Sequence, residues 1–291
     1  MARITKGERV FDWFNNFLML LVIIVTLYPL LYVVFASFSS PAEYVRFSGK
    51  VLWKPLGFSL SSYAAVFANI NIWTGYLNTL FVVIVGVGVN MVLTIIAGYV
   101  LSRRTLMTRR FLNLFCMFTM YFSGGIVPMF LMVRSYGLLD SLWALVFPVA
   151  LNTFNMIIMR SAFESVPESL EEAARVDGAS HLMILIRVMV PVVTPTLAVL
   201  VLYYGVKHWN AWFDALLYIR TRSRYPLQLI LREMLIENTA ASTASASDDS
   251  VLIEQTIKYA AIVVATLPIL CLYPFLQKYF VQGIMVGAVK G

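Results

Sequence analysis

Charge is what this sequence has least of. Asp, Glu, Lys and Arg make up 13% of its 291 residues, where a soluble domain carries roughly 25%. With 60% hydrophobic residues and a mean hydropathy of +0.81, an ordinary soluble protein is excluded. Cysteine is almost missing as well. Cys116 and Cys271 each sit inside an apolar run, without a CxxC partner or a neighbouring histidine. That argues against a disulfide framework or a metal site and leaves two small hydrophobes. Enzyme signatures are absent too. There is no GxxxxGKS/T stretch, so the chain is not expected to hydrolyse ATP itself. No nucleophile elbow, HExxH or carboxylate pair points to catalysis, and no catalytic residue, metal or cofactor is assigned to the chain. The net charge of +7 comes without any nucleic-acid-binding motif and reads as membrane topology.

What is present are long charge-free runs. A membrane helix needs roughly 20 apolar residues, and six runs qualify: 14–38, 73–101, 111–133, 141–159, 188–206 and 259–277. The first comes after basic residues, as in a secretory signal. A signal's apolar core is only about 7–15 residues, whereas this run carries no charge from Phe14 to Ser40, so it reads as a retained transmembrane helix. The connection SRRTLMTRR at 102–110 holds Arg103, Arg104, Arg109 and Arg110. Short arginine-rich loops stay in the cytoplasm, which puts both termini and the 160–187 loop there too. The full Lys/Arg tally, twelve inside against ten outside, leans the same way only weakly. Residues 39–72 and 207–258 then lie outside. The second segment opens with KHWNAWFDALLYI, whose apolar core is too short to span and suits an interfacial or re-entrant helix. None of the six runs has an ionisable side chain in its interior. That argues against a proton-coupled carrier but leaves open a sodium-coupled carrier using backbone carbonyls, or a membrane scaffold that transports nothing.

The 160–187 loop is the exception to the shortage of charge. Ser165 stands three residues before Glu168, the spacing of a capping box, and Pro167 falls in the first turn, where its missing N–H costs little. Glu168, Glu171 and Glu172 lie near the start, where negative charge suits the helix dipole. Gly178 is placed to stop the helix in the left-handed conformation. A short helix over about 166–177 is expected, with Leu170, Ala173, Ala174 and Asp177 along one stripe. Small side chains permit close approach by a partner, and the acids flank them. On these residues alone, a docking element and a solvated connecting helix both remain open.

The wider spacing is more specific. Glu172-Ala173-Ala174, three residues, Gly178, nine residues, then Val188, one residue and Val190-Pro191 resembles the EAA-x3-G-x9-I-x-L-P signature of ATP-binding-cassette importer permeases. Two valines replace the signature's Ile and Leu. The likeness runs over most of the chain, to the ending QKYFVQGIMVGAVKG, and is to the maltose-type carbohydrate branch, in particular its oligosaccharide importers. It implies an all-α integral membrane protein of about six transmembrane helices with a cytoplasmic coupling helix, the type I importer permease fold. The whole chain, 1–291, is then one permease domain, with core helices over 73–280, the coupling helix at 166–178 and the external segment at 207–258. The resemblance also implies partners: a companion permease, a cytoplasmic ATPase dimer holding ATP and magnesium, an extracytoplasmic solute-binding protein and a sugar. The setting would be a bacterial plasma membrane. Glu172, Ala173, Ala174 and Gly178 take the coupling role by motif, with Glu171 and Asp177 as flanking contacts. Pro191 shapes the following span, and Lys290 and Gly291 belong to a tail that reaches toward the ATPase.

Sugars are held by aromatic faces and by amide or hydroxyl hydrogen bonds. Candidate path residues are Asn152, Thr153 and Asn155 in the fourth run, Tyr203 and Tyr204 at the end of the fifth, and Trp209, Asn210 and Trp212 beyond it. Interhelical hydrogen bonding and interfacial aromatic belts explain the same residues equally well. Arg220, Arg222, Arg224 and Arg232 on the outside suit an acidic saccharide or an acidic patch on a binding protein.

Overall fold

Two apolar runs become long unbroken helices here, although the first contains Pro29 and the second several glycines, and three others break. The structure, a computed structural model, describes residues 6–47, 51–103, 105–241 and 256–271. Among them there is no β-strand, only an isolated bridge between Ser39 and Phe58. Helix α1 (Lys6–Ser37) is followed by two short helices, α2 (Pro41–Arg46) and α3 (Ser61–Ala68), and then by α4 (Ile70–Ser102). With 32 and 33 residues, α1 and α4 are each about 50 Å long at 1.5 Å per residue, more than a hydrocarbon core of about 30 Å.

The next three runs are not straight spans. Helices α5 (Arg109–Tyr121) and α6 (Ile126–Ser135) meet at 112°. The turn between them uses Gly125 at φ +88°, which a side chain would oppose. Leu142–Val149, two tight 3-10 turns containing Pro148, meets α7 (Thr153–Glu164) at 51°. After α8 (Glu168–Val176), helices α9 (His181–Val192) and α10 (Thr194–Trp209) meet at 86°. Pro191 and Pro195 lie on either side of that bend and neither can donate a backbone N–H. The Thr194 hydroxyl donates to the Pro191 carbonyl at 2.8 Å, replacing the bond Pro195 cannot make. Within α9, Leu185–Met189 winds as a wide π turn, a feature that often marks functional positions. Helices α11 (Trp212–Tyr218), α12 (Leu227–Ala241) and α13 (Thr256–Cys271) complete the described chain. The six runs expected as plain spans are therefore two long helices, three bent pairs and α13.

The chain divides into two units. In the first, residues 1–70 and 231–267, polar groups tie the C-terminal part of α1 to its neighbours. Ser40 N–H donates to Leu56 O and Gly57 O at 2.7 and 2.8 Å. The hydroxyls of Tyr32, Tyr44 and Tyr259 form a chain with 2.8 Å steps. Most of α1 faces outward with its apolar side chains exposed, a surface suited to lipid.

The second unit covers 71–230 and 268–291 and is organised around α4. Its buried stripe carries small and polar residues, Gly75, Thr79, Gly86, Asn90, Thr94 and Gly98, spaced to let other helices approach closely. At Gly98, an added Cβ would meet Met159 Cγ at 2.9 Å. One apolar cluster gathers Val82, Val133, Leu145, Tyr218 and Leu229, and a second gathers Tyr99, Met159, Phe163, Met189 and Leu200.

Candidate functional site

Helix α8 starts later than the serine spacing predicts. Ser165 belongs to the end of α7, where its N–H donates to Ser161 O and its hydroxyl to Ala162 O at 3.1 and 2.7 Å. No capping box forms; Pro167 is the N-cap, with extended backbone and no side-chain bond. The helix end agrees with expectation. Gly178 has φ +79°, Gly178 N–H donates to Arg175 O, and Ala179 N–H donates to Ala174 O, both at 3.0 Å. This paired pattern closes the last turn, with glycine in the left-handed position.

The faces of α8 correct the expected stripe. Ala174 turns inward and packs on the second apolar cluster, while Leu170, Glu172, Ala173, Val176 and Asp177 are exposed. Val176, 87% exposed, is an apolar side chain the stripe did not include. Glu171 is the larger correction. Read from the sequence as an outward contact, it is only 7% exposed and pairs within its own chain with Arg103 and Arg175, the latter at 2.6 Å. A carboxylate that deep needs such pairing. Arg103 is held in turn by the Ser102 hydroxyl at 3.0–3.1 Å and lies 4.5 Å over the Tyr99 ring. Burial draws its pKa below the ordinary arginine value, against the opposing pull of Tyr99 and nearby glutamates. Close by, Arg109 donates to Leu101 O at 3.1 Å and pairs with Glu164. An open polar cleft of ≈ 380 Å³ lies among these groups. The 102–110 turn and α8 thus share one end of this unit.

The candidate sugar path divides into occupied and unoccupied polar groups. Tyr204 is fully buried, its hydroxyl bonded to Thr94 Oγ1 at 2.7 Å and accepting Asn152 N–H at 3.3 Å. Asn152 caps α7 through Asn155 N–H at 3.0 Å, and Thr153 faces Thr119 at 3.3 Å. Asn210 bonds back to Val206 O at 3.0 Å. By contrast, the side-chain amide of Asn155 takes no hydrogen bond among the described residues. Trp209 is 5% exposed, with no partner for its indole N–H among the described residues, its ring edge-on to Tyr76 at 6.3 Å. Tyr203 and Trp212 are partly exposed at 43% and 37%.

Sequence reasoning passed over a buried network. Helix α10 continues to Trp209, beyond the expected end at 206, and so carries His208, 2% exposed. Asn90 Nδ2 donates to Val149 O and Ala150 O, both at 2.7 Å, leaving Oδ1 to accept from His208 Nε2 at 2.6 Å. The signal was available as a stripe: Leu200, Tyr204 and His208 fall at i, i+4 and i+8, and all are buried.

On the segment expected outside, Asp140 gathers Arg220 N–H, Thr221 N–H and the Thr221 hydroxyl at 3.0, 2.8 and 2.6 Å, and pairs with Arg224. The hydrogen bonds from Thr221 and Arg220, helped by Arg224, hold its pKa at about 2. Arg220 and Arg222 remain exposed, and Arg232 is half-buried. Lys290 and Gly291 lie outside the described residues.

No protein-family model matches the sequence. The chain is 40% identical over 286 residues to the polygalacturonan/rhamnogalacturonan transport system permease protein YtcP of Bacillus subtilis, covering 98% of this chain and 99% of that protein. It is 39% identical over 288 residues to protein LplC of the same organism, covering 99% and 97%. Among solved structures, it resembles a chain of a bacterial ABC transporter involved in import of the acidic polysaccharide alginate. That match has a TM-score of 0.87 and 34% identity, and covers 96% of this chain and 100% of the other.

Proposed function

This chain belongs to the permease subunits of ATP-binding-cassette importers, in their carbohydrate branch, and from that premise we propose how it couples and what it carries. It is an integral membrane transport subunit of an ATP-driven oligosaccharide importer. The cargo is an acidic oligosaccharide derived from a polysaccharide. Relatives named for polygalacturonan, rhamnogalacturonan and alginate support that choice. Exposed Arg220 and Arg222 offer positive charge to such a sugar, or to an acidic patch on the binding protein that delivers it.

Helix α8 is the docking element for a separate cytoplasmic ATPase dimer, which binds ATP and magnesium and carries out hydrolysis. The observation that carries this reading is its outward face, Glu172, Ala173, Val176 and Asp177, ended by Gly178 at φ +79°. Small and apolar side chains flanked by acids suit a groove lined with basic residues. Closure of the ATPase dimer displaces α8. Ala174 and Ala179, packed on the second cluster, pass the movement to α9. The π turn at Leu185–Met189 and the 86° bend give α10 a joint on which to tilt. Alternating access results as the path opens to one side and then the other. Donors not committed among the described residues, the Asn155 amide and the Trp209 indole N–H, meet the sugar. A companion permease and an extracytoplasmic solute-binding protein complete the assembly in a bacterial plasma membrane. Both termini are cytoplasmic.

The test is Gly178→Asp in proteoliposomes holding the full assembly. A side chain at φ +79° costs roughly 1–2 kcal/mol and invites α8 to extend past its stop. Sugar-stimulated hydrolysis is expected to fall at least tenfold, and uptake at the wild-type rate sinks the assignment. Uptake by this chain alone, driven by a sodium gradient, would point instead to a secondary carrier.

A further inference from the structure

We propose that Arg103 and Glu171 are positioning residues that strap α8 to the end of α4, so that displacement of α8 is delivered directly to α4. This rests on the reading in which an ATPase docks on α8. Among the routes that lead inward from that helix, two differ sharply in stiffness. One runs through Gly178 and α9, and it contains a left-handed glycine, a π turn and an 86° bend, all compliant joints. The other is a buried contact onto one unbroken helix of 33 residues.

The second route is stiff for reasons visible at each atom. Glu171 is 7% exposed and bonded to Arg103 and Arg175. Arg103 is fixed by the Ser102 hydroxyl and by the Tyr99 ring at 4.5 Å, and Tyr99 packs edge-on to Phe163 at 5.8 Å. If α8 moves by more than a hydrogen-bond length, either α4 moves with it or Arg103 loses its carboxylate and the buried Glu171 is left with Arg175 alone, which disfavours separation. The far side of α4 then carries the movement. Thr94 meets Tyr204 and Asn90 meets His208, at 2.7 and 2.6 Å, so α4 and α10 shift as one body. A coupling route requires an element that both ends bias, rather than mere adjacency; here that element is α4.

The experiment uses the complete assembly in proteoliposomes and reads three quantities: ATPase retained on purification, hydrolysis, and sugar taken up per ATP hydrolysed. Glu171→Gln and Arg103→Gln keep shape and remove one charge each. Both are expected to retain the ATPase while uptake per ATP falls about fivefold or more. The double variant should be no worse than either single, and Arg103→Lys should recover part of the loss. Ala173→Arg, on the outward face, should release the ATPase. If Ala173→Arg releases the ATPase while Glu171→Gln and Arg103→Gln keep wild-type uptake per ATP, the strap is refuted and the docking reading stands. Loss of the ATPase from Glu171→Gln would make Glu171 a docking contact and also refute the strap. Retention of the ATPase by Ala173→Arg overturns the docking reading, and the strap with it.

Discussion

Two glycines two residues apart on α4 should respond oppositely to the same methyl group. At Gly86 an added Cβ would fall 2.6, 2.8 and 2.9 Å from Nε2, Cε1 and Cδ2 of His208; at Gly88 nothing lies within 4 Å. Carbon pairs prefer about 3.5–4.0 Å, so the imidazole must retreat by about 1 Å. It is 2% exposed and has no space to do so cheaply. Its 2.6 Å bond to Asn90 would stretch past the useful limit of about 3.2 Å. Overpacking costs about 1–3 kcal/mol, and an orphaned acceptor adds about 1–3 kcal/mol. Improved helix propensity returns about 1 kcal/mol. At the middle of these ranges Gly86→Ala is therefore expected to destabilise by about 3 kcal/mol, and Gly88→Ala to gain up to about 1 kcal/mol. At about 2–4 °C per kcal/mol, thermal unfolding in nanodiscs should separate the two variants by about 6–16 °C. Replacing His208 with Ala removes the obstacle, so Gly86→Ala should cost almost nothing in that background. Equal melting of the two glycine variants, or an undiminished Gly86→Ala penalty without His208, refutes the reasoning.

Tyr204→Phe removes the hydroxyl that joins Thr94 to Asn152 and should lower stability by about 1–2 kcal/mol, measured by the same melts; no change would mean the pair contributes nothing. Trp209→Phe deletes an indole N–H that has no partner among the described residues, so the fold should keep its melting temperature while the KM for uptake rises several-fold; an unchanged KM removes Trp209 from the sugar path. Asp140→Asn weakens the grip on 220–224, and trypsin should cut after Arg220, Arg222 or Arg224 several-fold faster. The Asp140 pKa is depressed to about 2, so this grip is fully present above its ordinary value of 3.8. It is lost as pH falls from there through about 2, and an amide titration of Thr221 checks the midpoint.

Features written in local chemistry were legible, and those set by distant partners were not. The helix α4 was readable to within three residues because no glycine pair or proline interrupts it with a turn. The Gly178 stop was readable because a glycine at the end of a short charged helix has few other uses. The bends at Gly125 and between Pro191 and Pro195 were hidden because counting charges says nothing about φ or missing N–H groups. Ser165 had the right spacing for a capping box, but the last turn of α7 claimed it first. The inward turn of Glu171 depends on Arg103, 68 positions earlier in the chain. The burial of His208 likewise depends on Asn90, which no window of a dozen residues contains. Among the path residues, residue type alone could not separate the committed Tyr204 from the open Trp209.

The breaks in the helices have a consequence for any attempt to re-engineer selectivity. Wherever a helix is interrupted within an oily surrounding, bare carbonyls appear, and something must mend them. Asn90 mends Val149 and Ala150, and the Thr194 hydroxyl mends Pro191. Those side chains look like natural places to meet a hydrophilic solute, yet they are already employed as backbone repairs. Changing them to suit a new sugar would reopen the interruptions before it altered recognition. The groups free to be redesigned are those with no backbone to mend.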